Sequence, residues 1–322
     1  MRYKSLKNKL WLLRNNCKRS SFAILLLASI VLCCIVNQGC NDSGLLKVEE
    51  GGTLSTSIPT VSFVTFGDWG SGLKYQQDVA VALDSFCKEH QCEFVLTLGD
   101  NFYPIGVSSI DDTQWQTKYK DIYGSLGLPF YSCIGNHDAD GSIQAQIDYA
   151  SIDSSWHMPS DQYTFVWPEG SQEPLVEFFV IGVDLFNSDD KDWLEETIKN
   201  SKAAWKILIR HYPIITNKTD KNDDSFMEEA ICNKVDLVLS GHNHLFSFLR
   251  GFKEECWLEQ IIVGTGGAEL YGQYADRDGG RLVTTASVHG FGWFQISQEK
   301  VFFQMITSDG SLVYAITWQK RT

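Results

Sequence analysis

The chain has 322 residues, with 27 Lys and Arg against 40 Asp and Glu, which gives a net charge of −13. An acidic protein repels phosphate backbones, so this composition excludes a protein that binds nucleic acid duplexes. A hydrophobic content of 43% with 7 prolines excludes a disordered or collagen-like chain, and a single long apolar run excludes a polytopic membrane protein.

Residues 1–40 resemble a targeting segment. Basic side chains without any acid precede the apolar run at residues 22–36, an order typical of entry to the secretory route. The run is short for a membrane-spanning helix, which needs about 20 residues. Both a cleaved signal peptide and a signal-anchor that attaches the protein to a membrane stay open, and lipid attachment at Cys40 is a weaker option. In each case the body is expected on the non-cytosolic side, either secreted or anchored.

Residues 41–58 are polar and predict a tether before a single catalytic domain at residues 59–322. Two glycosylation sequons begin at Asn41 and Asn217 and matter in a eukaryotic host. The body contains an odd number of cysteines, so at least one is free or paired between chains. Cys87 and Cys92 flank a short polar turn and are the best candidates for a disulfide.

Strands alternate with helices along the body and predict an α/β fold, with antiparallel strands added in the C-terminal part. Strands are predicted at residues 61–66, 94–98, 129–134, 176–183, 205–210 and 235–239, helices at 73–89 and 193–199, and a hairpin at 301–318. The glycine-rich run at residues 264–268 lacks the spacing of a nucleotide-binding loop and is interpreted as a turn.

Five of the predicted strands end in a turn that carries a potential metal ligand. Ligands bind at the carboxyl ends of strands in open α/β sheets, so these side chains are expected to meet. Carboxylate, imidazole and amide groups in this number exceed one tetrahedral site and favour two metal ions that share a carboxylate. The residues are Asp68, Asp100, Tyr103, Asn136, His137, His211, His242 and His244.

The order of these motifs resembles the metallophosphoesterases and, more narrowly, the purple acid phosphatases of the small tartrate-resistant type. The matching motifs are Gly67-Asp-Trp-Gly70, Gly99-Asp-Asn-Phe-Tyr103, Gly135-Asn-His-Asp138, His211-Tyr-Pro213 and Gly241-His-Asn-His244. The resemblance implies a four-layer αββα sandwich of two mixed β-sheets flanked by helices. It also implies an acid phosphatase that hydrolyses phosphate monoesters by attack of a metal-bound hydroxide.

The resemblance also assigns roles to individual residues. Asp68, Asp100, Tyr103 and His244 would hold Fe(III). Asp100, Asn136, His211 and His242 would hold a divalent ion, either Fe, Zn or Mn, with Asp100 as the bridge. Asn136 and His137 would bind substrate, His137 would protonate the leaving group, and Asn101 would support the bridging region from a second layer. The expected substrates are small phosphomonoesters. The protein is expected to bind no nucleic acid and to be a monomer.

The chain departs from this family pattern in several places. Arg210 replaces the glycine before the His-Tyr-Pro step, and two alternatives stay open for its side chain: it faces solvent or it crowds the site. A further substrate-facing histidine is missing, so the acid pH optimum is in question. His157 and His289 are the remaining candidates for that substrate-facing role, with surface or packing roles favoured for both. Residues 184–193 form a shorter segment than in the mammalian relatives, which predicts an open site. A diesterase or nucleotidase of the same fold is the alternative function, and a non-catalytic binding module is a third.

Overall fold

The computed structural model describes residues 60–183, 187–215, 225–251, 256–271 and 281–320. The predicted targeting segment, the tether, both sequons and residues 184–186 and 216–224 lie outside this part of the chain. Within it, no helix is long and apolar enough to cross a membrane.

Within the described residues, the strands form two sheets of seven strands each. The strands are β1 (Thr60–Phe66), β2 (Phe94–Thr97), β3 (Phe130–Ser132), β4 (Trp156–His157), β5 (Gln162–Trp167), β6 (Val176–Ile181), β7 (Trp205–Arg210), β8 (Leu237–Ser240), β9 (Phe246–Arg250), β10 (Glu259–Val263), β11 (Arg281–Ala286), β12 (Gly290–Ser297), β13 (Lys300–Thr307) and β14 (Leu312–Gln319).

The strand order is β14-β13-β12-β1-β2-β3-β4 in the first sheet and β11-β9-β10-β8-β7-β6-β5 in the second. Both sheets are mixed, since β1, β2, β3 and β4 pair in parallel while β12, β13 and β14 pair antiparallel. In the second sheet β6, β7, β8 and β10 are parallel, and β5, β9 and β11 add antiparallel pairs. The predicted α/β class with two mixed sheets is therefore confirmed.

Short helices connect the strands. They are α1 (Lys74–Glu89), α2 (Asp121–Tyr123), α3 (Asn136–Ala139), α4 (Ile143–Tyr149), α5 (Ser188–Asn200) and α6 (Ser225–Ile231), with a π-helical segment at Trp115–Lys120 and a 3₁₀ turn at Gly124–Leu126. Helix α1 and the strand β7 agree closely with their predicted bounds. Helix α5 contains the predicted residues 193–199 and begins at Ser188, because Asn187 caps its N-terminus by accepting hydrogen bonds from the amides of Asp189 and Asp190.

The core between the sheets is aromatic. Phe63 of β1 stacks on Phe94 and Phe294, with both pairs of ring centroids 5.0 Å apart, and meets the edge of Phe178 from the other sheet at 5.4 Å. The indole of Trp205 also joins the sheets, since its Nε1 donates to the carbonyl of Ser297 at 2.7 Å. This rigid centre fixes the strand ends that carry the predicted ligands.

The cysteines behave as the sequence predicts. Cys87 and Cys92 form a disulfide, and Cys232 pairs with Cys256 across 24 residues. Cys133 stays free and buried, which accounts for the odd number of cysteines in the body.

Replacing Phe63 by alanine should lower the free energy of unfolding by about 3 to 5 kcal/mol, because it removes a fully buried ring from the contact between the sheets. Denaturant unfolding measures this loss. Val81→Ala is the control, since Val81 is 68% exposed on α1. Equal stability of the Phe63 variant and the wild type would contradict this account of the core.

Candidate metal centre

The predicted ligands come from the carboxyl ends of strands in both sheets. Asp68 follows β1, Asp100 follows β2, and Asn136 begins α3 after β3, all in the first sheet. His211 follows β7 and His242 follows β8 in the second sheet. The structure brings all seven predicted ligands, including Tyr103 and His244, into one connected cluster.

The first group of donors surrounds the Tyr103 hydroxyl. This oxygen lies 3.1 Å from Asp68 Oδ1, 2.7 Å from Asp100 Oδ2 and 3.1 Å from His244 Nε2. His244 Nε2 lies 3.2 Å from Asp68 Oδ1. One atom from each of Asp68, Asp100 and His244 falls within a 4.8 Å cluster that is able to hold a metal ion.

The second group of donors surrounds the Asn136 amide oxygen. Asn136 Oδ1 lies 3.1 Å from His211 Nε2 and 3.0 Å from His242 Nδ1. His211 Nε2 is also 3.4 Å from Asp100 Oδ2. A single carboxylate oxygen of Asp100 therefore borders both groups, which is the arrangement that a bridging ligand requires.

Backbone amides orient the two carboxylates. The amide of His242 donates to Asp68 Oδ2, and the amide of His137 donates to Asp100 Oδ1, each at 2.9 Å. The other oxygen of each carboxylate, Asp68 Oδ1 or Asp100 Oδ2, is thereby directed into the donor cluster.

Backbone carbonyls orient three of the imidazoles. A carbonyl accepts hydrogen bonds, so the ring nitrogen beside it carries the proton and the opposite nitrogen keeps its lone pair. His211 Nδ1 donates to the Leu98 carbonyl at 2.8 Å, and His244 Nδ1 donates to the Glu269 carbonyl at 2.6 Å. Their Nε2 atoms are left for the cluster. His137 Nδ1 donates to the Pro104 carbonyl at 2.6 Å, which leaves its Nε2 free as well.

Three of the predicted ligands have a left-handed backbone. The φ angles are 58° at Asp68, 53° at Asp100 and 63° at His242. Non-glycine residues seldom adopt this conformation, and where they do the strain often coincides with a functional site. The turn residues cost free energy that the aromatic core offsets.

Two glycines lack the Cβ atom that would otherwise collide with the predicted ligands. A Cβ atom at Gly135 would lie 2.2 Å from Asp100 Oδ1, and one at Gly99, which has a φ of 87°, would lie 2.6 Å from His211 Nδ1. Gly99 and Gly135 are thus required by close packing against the predicted ligands.

The charged groups of the cluster shift one another's pKa values. Burial opposes the protonation of His211, but the adjacent Asp100 carboxylate outweighs it and raises the pKa of His211 to about 9. Burial likewise opposes protonation of His244, yet Asp68 keeps its pKa above the ordinary value. Burial and the neighbouring Asp68 and Asp100 raise the pKa of Tyr103. Without a cation, this electrostatic environment favours protons on the imidazoles and on the phenol.

The donor set fits two metal ions. Oxygen and nitrogen donor atoms of several side chains lie close together in a buried space, where protons on the imidazoles and on the phenol reduce their repulsion in the metal-free protein. A cation between these atoms would relieve the repulsion and remove the reason for the raised pKa of Tyr103.

A supporting network lies beneath the cluster, and the sequence reasoning found it in part. The buried Asp138 carboxylate accepts hydrogen bonds from the amides of Gly135, Asn101 and Phe102 and from the side chain of Gln146. Burial raises the pKa of Asp138 to about 7.

Asn101, the predicted second-layer residue, joins this network. Its side chain donates to the Cys133 carbonyl at 2.8 Å and to Gln146 Oε1 at 3.1 Å, and it accepts from Trp69 Nε1 at 3.0 Å. Asn101 therefore ties together the ends of β1 and β3. The sequence pattern does not indicate these roles of Asp138 and Gln146, although the motif Gly135-Asn-His-Asp138 places Asp138 beside the cluster.

The glycine-rich run at residues 264–268 contacts the cluster, which its interpretation as a turn did not predict. The amide of Ala268 donates to the Asp68 carbonyl at 2.8 Å, and the amide of Gly266 donates to the Gly67 carbonyl at 2.9 Å. A Cβ at Gly264 would lie 2.8 Å from Asp68 Oδ2. The predicted turn thus packs against the first carboxylate of the cluster.

The departures from the family pattern have clear positions. Arg210 is 5% exposed, so the solvent-facing alternative for this side chain is wrong. His289 stacks on Tyr75 with ring centroids 4.3 Å apart, and His157 stacks on Tyr131 at 4.8 Å. Neither histidine contributes to the donor cluster.

The metal-free protein should lose stability as the pH rises from about 6.5 to about 9. The folded state raises the pKa of His211 from 6.5 to about 9, so its contribution is complete below the lower value and disappears through the upper one. Denaturant unfolding with chelator at several pH values measures this slope. His211→Asn should flatten it, and a wild-type stability that rises across this window would contradict the assignment.

Comparisons with known proteins place the chain among phosphoesterases. Residues 61–246 match the family model described as calcineurin-like phosphoesterase. Purple acid phosphatase 4 of Arabidopsis thaliana is 28% identical over 248 residues, which cover 67% of this chain and 70% of the relative. Human tartrate-resistant acid phosphatase type 5 is 24% identical over 305 residues, which cover 82% of this chain and 93% of the relative.

Solved structures share the fold. The Plasmodium protein GAP50, described as the anchor in the inner membrane complex, is 21% identical with a TM-score of 0.69, and the match covers 82% of this chain and 90% of that one. A purple acid phosphatase from yellow lupin seeds is 13% identical with a TM-score of 0.56, covering 81% and 54%. On the match of the family model, the chain belongs to the calcineurin-like phosphoesterases, with purple acid phosphatases and tartrate-resistant acid phosphatases among its relatives.

Proposed function

We propose that the chain is a dinuclear-metal acid phosphatase that hydrolyses small phosphate monoesters. The observation that carries the proposal is the position of Asp100 Oδ2, 2.7 Å from the Tyr103 hydroxyl in one donor group and 3.4 Å from His211 Nε2 in the other. A shared carboxylate between two donor groups suits two metal ions that act on one phosphoryl group.

Each donor group favours a different cation. Asp68, Asp100, Tyr103 and His244 would hold Fe(III), because two carboxylates and a phenolate are hard anionic donors. Asp100, Asn136, His211 and His242 would hold divalent Fe, Zn or Mn. The two cations would supply Lewis acidity, which lowers the pKa of coordinated water and offsets negative charge on the phosphoryl oxygens.

His137 is the proposed acid for the leaving group. Its ring packs on Tyr103, with centroids 4.3 Å apart, and its Nδ1 proton is held by the Pro104 carbonyl. When the ring carries a second proton on Nε2, that N–H group can donate to a phosphate oxygen or transfer its proton to the departing alkoxide. Asn136 would contact the substrate from the other donor group.

The cellular context belongs to the same proposal. Residues 1–40 would direct the catalytic domain to the non-cytosolic side, where it is secreted or held at a membrane. The protein would act as a monomer on small phosphoesters, and its net charge of −13 disfavours nucleic acid as a partner.

Asp100→Ala should abolish phosphatase activity and weaken binding at both metal positions, because Asp100 borders both donor groups. The full chain, loaded with iron and zinc, is assayed on an aryl phosphate monoester and on the matching diester, with bound metals quantified. Asp236→Ala is the control, since Asp236 lies on the segment before β8 and pairs with Lys320 at 3.0 Å. Full turnover by the Asp100 variant would overturn the dimetal proposal.

The substrate assay separates the alternative functions. Preference for the diester would replace the monoesterase by a diesterase of the same fold. Bound metals without turnover of either ester would indicate a non-catalytic module, a role in line with the anchor described for the Plasmodium relative.

Tyr103→Phe should remove the visible absorption band expected of the iron-loaded protein, because the phenolate that donates charge to Fe(III) is lost. The variant keeps the ring that packs on His137, so its folding should match the wild type. Absorption spectra of both proteins, with iron quantified, check this. A wild-type protein that binds iron without such a band, even after mild oxidation, would show that Tyr103 is not an iron ligand.

A further inference from the structure

The outer face of His244 is covered by an aromatic ring from the glycine-rich segment. Tyr271 stacks on the imidazole with ring centroids 4.2 Å apart and an interplanar angle of 13°. The ring of Tyr103 meets the imidazole edge-on at 6.0 Å. Tyr271 itself is 36% exposed, so it forms part of the boundary between the donor cluster and solvent.

The backbone around Tyr271 is tied to His244. The Tyr271 amide donates to the His244 carbonyl at 2.9 Å, and the Ser287 hydroxyl donates to the Tyr271 carbonyl at 2.6 Å. The Glu269 carbonyl accepts from His244 Nδ1. The short segment that carries Tyr271 thus contacts both the main chain and the ring of His244.

We infer that Tyr271 is a positioning residue that fixes the ring plane of His244 for the cation held by Asp68, Asp100 and Tyr103; this inference rests on the proposed dimetal centre. The Glu269 carbonyl fixes the direction of Nδ1, but a single hydrogen bond leaves the ring free to tilt about that axis. The Tyr271 stack removes this freedom. Partners that orient a ligating histidine typically change metal affinity by about 10- to 100-fold.

The stack also suits a metal-bound imidazole electrostatically. A cation at Nε2 draws electron density from the imidazole, and the electron-rich face of a tyrosine ring stabilises a neighbouring positive group. The phenol ring rather than its hydroxyl makes this contact, so phenylalanine should replace Tyr271 with little loss. The effect should be confined to the donor group of His244, because Asn136, His211 and His242 lie in the other group.

The chain contains a matched control. Tyr75 is also a partly exposed tyrosine, 46% exposed, and it stacks on His289 with centroids 4.3 Å apart and an interplanar angle of 12°. His289 is outside the donor cluster. Tyr75→Ala therefore removes a similar tyrosine–histidine stack without touching a predicted ligand.

The test is a calorimetric titration of the metal-stripped full chain with Zn²⁺. The wild type should bind two ions. Tyr271→Ala should weaken one of them by about 10- to 100-fold and leave the other unchanged. Tyr271→Phe and Tyr75→Ala should bind both ions as the wild type does, and the unfolding midpoint of the metal-free Tyr271→Ala protein should match the wild type.

Other outcomes overturn the inference in distinguishable ways. Two ions bound with wild-type affinity by Tyr271→Ala would overturn the role of Tyr271 and leave the dimetal centre intact. Equal weakening of both ions together with a lower unfolding midpoint would make Tyr271 a purely structural residue. Fewer than two ions bound by the wild type, with Zn²⁺ and with iron alike, would overturn the dimetal centre and, with it, the inference.

Discussion

The crowding of potential metal donors around the Tyr103 hydroxyl is the constraint on which the site depends. Carboxylate oxygens of Asp68 and Asp100 and a nitrogen of His244 all lie within 3.1 Å of it, and one phenolic proton satisfies a single neighbour at a time. Burial makes this repulsion expensive, since water cannot solvate the charges. A cation in the cluster would turn the same arrangement into a favourable one.

The scaffold holds these groups together against their repulsion. Parallel strands from two sheets end at the same place, and each turn after a strand is fixed by hydrogen bonds or by left-handed backbone, as at Asp68 and Asp100. The aromatic core around Phe63 supplies the rigidity and the stability that this strain requires. The geometry of the donor cluster therefore depends on the packing of the core, because the predicted ligands lie at the ends of strands that the core holds in place.

A second layer decides how the ligands point. The Asp138 carboxylate accepts hydrogen bonds from backbone amides in the turns after β2 and β3. The side chain of Asn101 accepts a hydrogen bond from Trp69, which follows β1. Backbone carbonyls set the proton positions on His211 and His244. The inferred role of Tyr271 extends this layer to the rim of the site. Residues of this layer share no single chemical type, which explains why a search for metal ligands along the chain does not find them.

The sequence by itself determined six of the strands, the C-terminal hairpin, the α/β class, the Cys87–Cys92 disulfide and the set of side chains that cluster, because hydrophobic periodicity and residue type are local properties. The tertiary structure decided the rest. It places Asp100 between both donor groups, packs the glycine-rich run on Asp68 and stacks Tyr271 on His244, and these contacts join residues far apart in sequence. It also buries Arg210. Such contacts depend on how two sheets meet, and no local pattern in the chain encodes that distance.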